Sequence, residues 1–207
     1  MSDAAEPNSG HTRDRLLAAG LRLFAERGFS AVGVGEIEQA VGLVPRRGAL
    51  YRHFASKDQL LEAAVRGHLD SVAAARAQFV LSVTGDVRAD ALELAQWVMG
   101  ELDTQHAITR VLEREGDRLP TLRDTFRRDV SDPGYVAMAD ILRGWLQACG
   151  RDTPIADLQE LAVHLLGALV NARRSAWTLG QPPPGMDDDR IAHSWADLCV
   201  FVVNGYS

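Results

Sequence analysis

Apolar residues recur at three- and four-residue intervals along nearly the whole chain, and no segment alternates strictly, so the pattern predicts an all-α protein. In "TRDRLLAAGLRLFAERG" (12–28), Leu16, Leu17, Gly20, Leu21 and Phe24 share one face, with Thr12 as N-cap and Gly28 as the stop. A second short helix fits "EIEQAVG" (36–42), with Ile37, Ala40 and Val41 inward and Gly42 ending it. A third fits "RRGALYRHF" (46–54), opened by Pro45, whose missing N–H suits a first helical turn; Leu50 and Phe54 then face the same core. Ser56 and Gln59 have capping-box spacing, and Asp58 sits where the helix dipole favours an acid, so a long fourth helix starts there and runs to Val80.

Beyond it the period stays helical, with breaks expected at "TGD" (84–86), "SDPG" (131–134), "CGRDTP" (149–154) and "GQPPPGMDDD" (180–189). The stretch from Ile155 to Trp177 carries one stripe of Leu158, Leu161, Leu165, Leu169, Ala172 and Ala176, widened by Ala162, Leu166 and Val170. In "RIAHSWADLCVFVV" (190–203), Ile191, Trp195, Leu198 and Val202 share a face, while Val200, Phe201 and Val203 crowd the other. A helix apolar on more than one side must bury a second face, which predicts pairing of the two last helices with a second subunit.

Composition narrows the class. With 46% apolar and 24% charged residues the chain is an ordinary globular protein. No apolar run reaches the roughly 18 to 20 residues of a membrane span, and residues 1–10 read as a flexible leader without a secretory pattern. Cys149 and Cys199 have no metal-ligand spacing around them and fit a reducing, cytoplasmic interior.

Charge changes the picture more. The net charge is −6, yet residues 1–68 hold nine basic and eight acidic side chains, and the stretch from Leu43 to Lys57 has four cations and no acid. Overall acidity disfavours indiscriminate binding to nucleic acid but leaves room for one local basic face. Two short helices and a tight turn leading to a basic, aromatic segment form a helix-turn-helix pattern, in which one element enters the major groove and the other braces it. Arg46 and Arg47 have the reach for guanine edges, with Gly48, Tyr51 and Arg52 at or around the groove; Tyr51, His53 and Lys57 are placed for phosphates. The competing reading is a solvated helix face.

The segment "TRDRLLAAGLRLFAERGFSAVGVGEIEQAVGLVPRRGALYRHFASKDQLL" (12–61) resembles the DNA-binding domain of the tetracycline-repressor (TetR) family through "LFAERGF", "G-x-LYRHF" and "SK-x-x-LL". The resemblance implies an all-helical homodimer. Residues 11–57 would form the DNA-binding domain that reads a palindromic operator in double-stranded DNA. Residues 58–207 would form a larger helical domain for dimerisation, through the two last helices, and for a small effector that alters DNA affinity. Two departures stand out. Val32 and Gly33 replace the usual Ser/Thr pair, and the turn from Gly42 to Tyr51 is about two residues longer than the usual pattern, with "VPRR" filling the extra space.

For the effector, Trp97, His106, Arg110, Tyr135, Trp145, His164 and Asn171 are candidates to line a mostly apolar pocket, each with core or interface packing as its rival reading. No cofactor is expected. An enzyme is disfavoured, since metal-ligand spacing, a glycine-rich phosphate cradle and a nucleophile elbow are all missing from the sequence. A helical protein-interaction module without specific DNA binding is the remaining alternative, and it leaves the ordered match through residue 61 unexplained.

Overall fold

A computed structural model describes residues 7–151 and 154–205. It is built from α1 (Pro7–Arg27), α2 (Val34–Ala40), a single 3-10 turn (Leu50–Arg52), α3 (Lys57–Gln78), α4 (Val87–Glu115), α5 (Pro120–Phe126), α6 (Asp132–Ala148), α7 (Ile155–Leu179) and α8 (Asp188–Gly205). No strand occurs among the described residues. The all-α expectation holds.

The chain packs as two compact units, one of Met1–Ala73 with Gln105–Phe126, the other of Ala74–Thr104 with Arg127–Ser207. Both α3 and α4 contribute residues to each unit. These are packing units, and their boundary at Ala73 lies within α3, past the expected division by role at residues 57 and 58.

In the amino-terminal unit, Leu16, Phe24, Ile37, Leu50, Leu60 and Ile108 are sealed from solvent in one core. Gly20 lets α1 approach α3 closely, since a Cβ there would lie 2.4 Å from Leu60 Cδ2. Helix α1 stops as expected at Gly28, whose φ of 88° few other residues adopt without cost. It starts earlier than expected, at Pro7, so residues 7–10 of the expected leader are helical. A proline at the first helical position makes that start possible, because it fixes φ and has no N–H to leave unpaired. Residues 1–6 lie outside the described residues. The Ser56–Gln59 device is formed: Gln59 N–H donates to Ser56 Oγ at 3.1 Å, and Ala55 N–H donates to Gln59 Oε1 at 3.0 Å.

The second unit is a layered bundle. Val98 and Met99 of α4, Leu142 and Trp145 of α6, Leu158 and Leu165 of α7, and Ile191 and Trp195 of α8 share its core. The indole N–H of Trp195 donates to Leu165 O at 2.8 Å, tying α8 to α7. Two expectations fail here. The "SDPG" break is absent: α5 passes through a π turn (Arg127–Ser131) directly into α6, and Pro133 falls at the first turn of that helix, where its missing N–H does no harm. The buried stripe of α8 is Ile191, Trp195, Cys199 and Val203, whereas Leu198 is 42% and Phe201 74% exposed. Cys199 behaves as a small core hydrophobe, and burial raises its thiol pKa to about 12.

At the head of α4, the carboxylate of Asp90, 3% exposed, accepts the Thr84 N–H at 3.0 Å and the Thr84 hydroxyl at 2.7 Å. Removing the acceptor leaves the two Thr84 donors, which are only partly buried, without their partner, so Asp90→Ala is expected to lower stability by about 1 kcal/mol in urea titration. A change below about 0.5 kcal/mol would show that Thr84 finds other partners.

Candidate nucleic-acid interface

The basic segment follows α2, whose end is set by Gly42 at φ 75°. The Arg15 guanidinium, from α1, donates to Val41 O and holds this end. From Pro45 onward the chain turns instead of entering a helix. Arg46 has φ 62° and Gly48 φ 71°, left-handed values that a right-handed helix cannot contain. Arg46 is the one non-glycine residue at positive φ among the described residues. The expected helix from Pro45 is therefore absent: residues 45–49 form a turn, and only Leu50–Arg52 coil, as a 3-10 turn closed by His53 N–H and Phe54 N–H, both donating to Leu50 O at 2.9 Å.

What holds the turn is a residue that sequence periodicity placed outside the core. Glu38 of α2 is 0% exposed. Its Oε2 accepts the Arg46 N–H at 2.8 Å and its Oε1 accepts the Leu50 N–H at 2.9 Å. Ala40, expected inward, is exposed. Gly35 lies under the turn, since a Cβ there would meet Pro45 Cβ at 3.5 Å and Arg46 Cγ at 3.6 Å. Leu50 and Phe54 are buried as expected and pin the far end.

This scaffold leaves Arg46, Arg47 and Arg52 exposed, and no ion pair among the described residues involves any of the three. Other cations of the same unit are engaged: Arg22 with Glu26 at 3.3 Å and Arg27 with Glu36 at 2.6 Å. Tyr51 is 58% exposed beside them, and Gly48 supplies the backbone bend. Lys57 differs. Its ammonium donates to Phe29 O at 2.7 Å and Val32 O at 2.9 Å and sits 4.2 Å from the Phe29 ring centroid. Two of its three donors are thus committed inside the unit, which leaves one for a phosphate. His53 is half-buried and lines a groove of about 540 Å³ with Arg13, Asp14, Gln59, Glu62 and Arg66, whose mixed charge suits a polyanion poorly.

At the unusual start of α2, Gly33 is the N-cap, and its N–H donates to Glu36 Oε2 at 2.7 Å. That bond, and then the Arg27 guanidinium, holds the Glu36 carboxyl below the ordinary carboxylate range.

The expected effector residues fall in both packing units. His106 and Arg110 belong to the amino-terminal unit; Trp97, Tyr135, Trp145, His164 and Asn171 belong to the other. His164 and Asn171 are exposed on α7. Trp97 is half-buried and stacks on Phe79, centroids 4.3 Å apart. Trp145 is fully buried and its indole N–H has no acceptor among the described residues. Arg173 clamps Asp188 at 2.7 Å and Asp103 at 3.2 Å, joining α7 to α8 and α4. Among the described residues no group of His, Cys, Asp and Glu could hold a metal, and no helix is long and apolar enough to cross a membrane.

A short helix followed by a turn that exposes guanidinium groups keeps the first helix and the turn of a helix-turn-helix arrangement, with a 3-10 turn where the second helix is expected. Residues 16–64 match the family model "Bacterial regulatory proteins, tetR family". The HTH-type transcriptional repressor KstR2 of Rhodococcus jostii is 33% identical over 113 residues, 54% of this chain and 54% of that protein. The chain thus spans about half the length of the curated relatives it matches. Among solved structures, a regulator from Saccharomonospora viridis in complex with choline superposes with a TM-score of 0.66 at 24% identity, covering 93% of this chain and 96% of that one. A TetR transcriptional regulator from Chloroflexus aurantiacus does so with a TM-score of 0.66 at 22% identity, covering 94% and 96%. These likenesses of fold reach beyond the matched residues to the carboxy-terminal helices. The names are those of transcriptional regulators, in keeping with the expectation of no enzymatic activity.

Proposed function

We propose that this chain is a cytoplasmic, sequence-specific transcriptional regulator that binds a palindromic operator as a homodimer and is released by a small effector. Residues 11–57 are the DNA-binding part and residues 58–207 the part for effector and dimer. The observation that carries the reading is the trio Arg46, Arg47 and Arg52, exposed, unpaired and mounted on a buried scaffold in a chain of net charge −6. Arg46 and Arg47 are the base readers; Tyr51 and Arg52 contact phosphates and sugars, with His53 and the remaining donor of Lys57 at the margin.

Repression is the favoured direction because KstR2 is named a repressor. The effector belongs to the second unit, in whose apolar core the Trp145 indole N–H has no acceptor among the described residues. Since α3 and α4 contribute to both units, a ligand that prefers one arrangement of the second unit can shift the DNA-binding one, by no more than its difference in affinity for the two states.

Selection of bound fragments from the protein's own genomic DNA tests this. A two-fold sequence should be enriched, and log affinity for it should fall steeply with log salt as phosphates are neutralised. No enriched sequence, or a flat salt response, would refute it.

A further inference from the structure

We infer that Glu38 is a positioning residue for DNA recognition, its buried carboxylate setting the shape of the turn that presents Arg46 and Arg47. The inference rests on the reading of this turn as the DNA-reading element. Two N–H groups four residues apart, those of Arg46 and Leu50, converge on the two oxygens of one side chain. The Leu50 bond is buried and the Arg46 bond partly so, and a carboxylate acceptor strengthens such bonds.

Geometry gives the clasp its consequence. Between its two points lie the left-handed Arg46 and Gly48, and a non-glycine left-handed residue persists only where its surroundings impose it. The Arg46 N–H bond to Glu38 is that imposition. A neutral amide at position 38 keeps one acceptor oxygen but turns an NH₂ toward the other N–H, so one of the two points opens. The turn then samples several arrangements, and the guanidinium groups lose their fixed register against base edges. Phosphate contacts tolerate such looseness, because they depend on charge more than on register. Specific and non-specific binding should therefore part company.

The test uses the full chain with Glu38→Gln and Glu38→Ala and a library of random-sequence duplex DNA as probe. The unchanged protein should enrich a two-fold motif. Both variants should lose at least about ten-fold in the ratio of motif affinity to random-duplex affinity, the scale of one lost base pair, with the salt slope on random duplex unchanged. If Glu38→Ala fails to fold, Glu38→Gln, which nearly preserves shape, decides alone. A purely structural role would lower melting temperature and reduce both affinities in parallel, and that outcome overturns the inference. So does an identical motif at an unchanged ratio. Failure of the unchanged protein to enrich any motif would instead strike the functional reading itself, and this inference with it.

Discussion

Arg46→Ala combined with Arg47→Ala abolishes specific operator binding while leaving folding and assembly intact. Each bidentate arginine–guanine pair discriminates by about 1–3 kcal/mol, so two together reach roughly 2–6 kcal/mol per half-site. Stability should move by less than about 0.5 kcal/mol, because both side chains are exposed and neither has an ion-pair partner among the described residues. Arg46 adds a separate reason to expect function. An arginine at φ 62° costs more than glycine would there, so glycine would be the easier choice for folding alone. Arg46→Gly should therefore stabilise the chain slightly while weakening the complex. Binding isotherms against the selected operator, read beside thermal melts, check both statements; unchanged affinity of the double variant would end the assignment of these residues to base contact.

The structure mounts these two arginines differently from the way their sequence predicts. The sequence put Arg46 and Arg47 on the first turn of a helix because Pro45 is a good helix opener and Leu50 and Phe54 repeat at four residues. Both apolar anchors are buried as read, yet the helix between them is missing. Its loss could not be read from periodicity, since the deciding facts are two left-handed backbones and a carboxylate from another helix. Glu38 was hidden for the same reason: an acid within a short helix counts as a solvent position unless the amides it serves are known to be near. The hint was the turn about two residues longer than usual, which adds N–H groups that must be satisfied somewhere.

Elsewhere local rules sufficed where the chemistry was local. Gly28 and the Ser56–Gln59 pair act within one turn of chain and were legible. Long-range choices were not. The α8 stripe runs through Cys199 instead of Leu198 because α7 and α6 decide which face is covered, and the candidate effector residues divide between two units because α4 supplies both.

The exposed face of α8 leads to the second large effect. Leu198 and Phe201 are three residues apart, hence neighbours on a helix surface, and both are open to solvent in the single chain. If the homodimer is formed through the two last helices, these side chains meet their symmetry mates, and each substitution counts twice. Fully burying a Leu or Phe stabilises by about 1.5–3 kcal/mol, and Leu198 and Phe201 are 42% and 74% exposed, so Leu198→Asp with Phe201→Asp removes roughly 3–7 kcal/mol from association, before the repulsion of the new carboxylates. Most single-interface dimers do not survive that loss at micromolar concentration. The fold itself should persist, because the buried stripe of Ile191, Trp195, Cys199 and Val203 is untouched. Sedimentation should then show a folded monomer, and operator affinity should collapse, since one half-site cannot replace two read about 34–36 Å apart. A variant that still sediments as a dimer would move the subunit interface off this face.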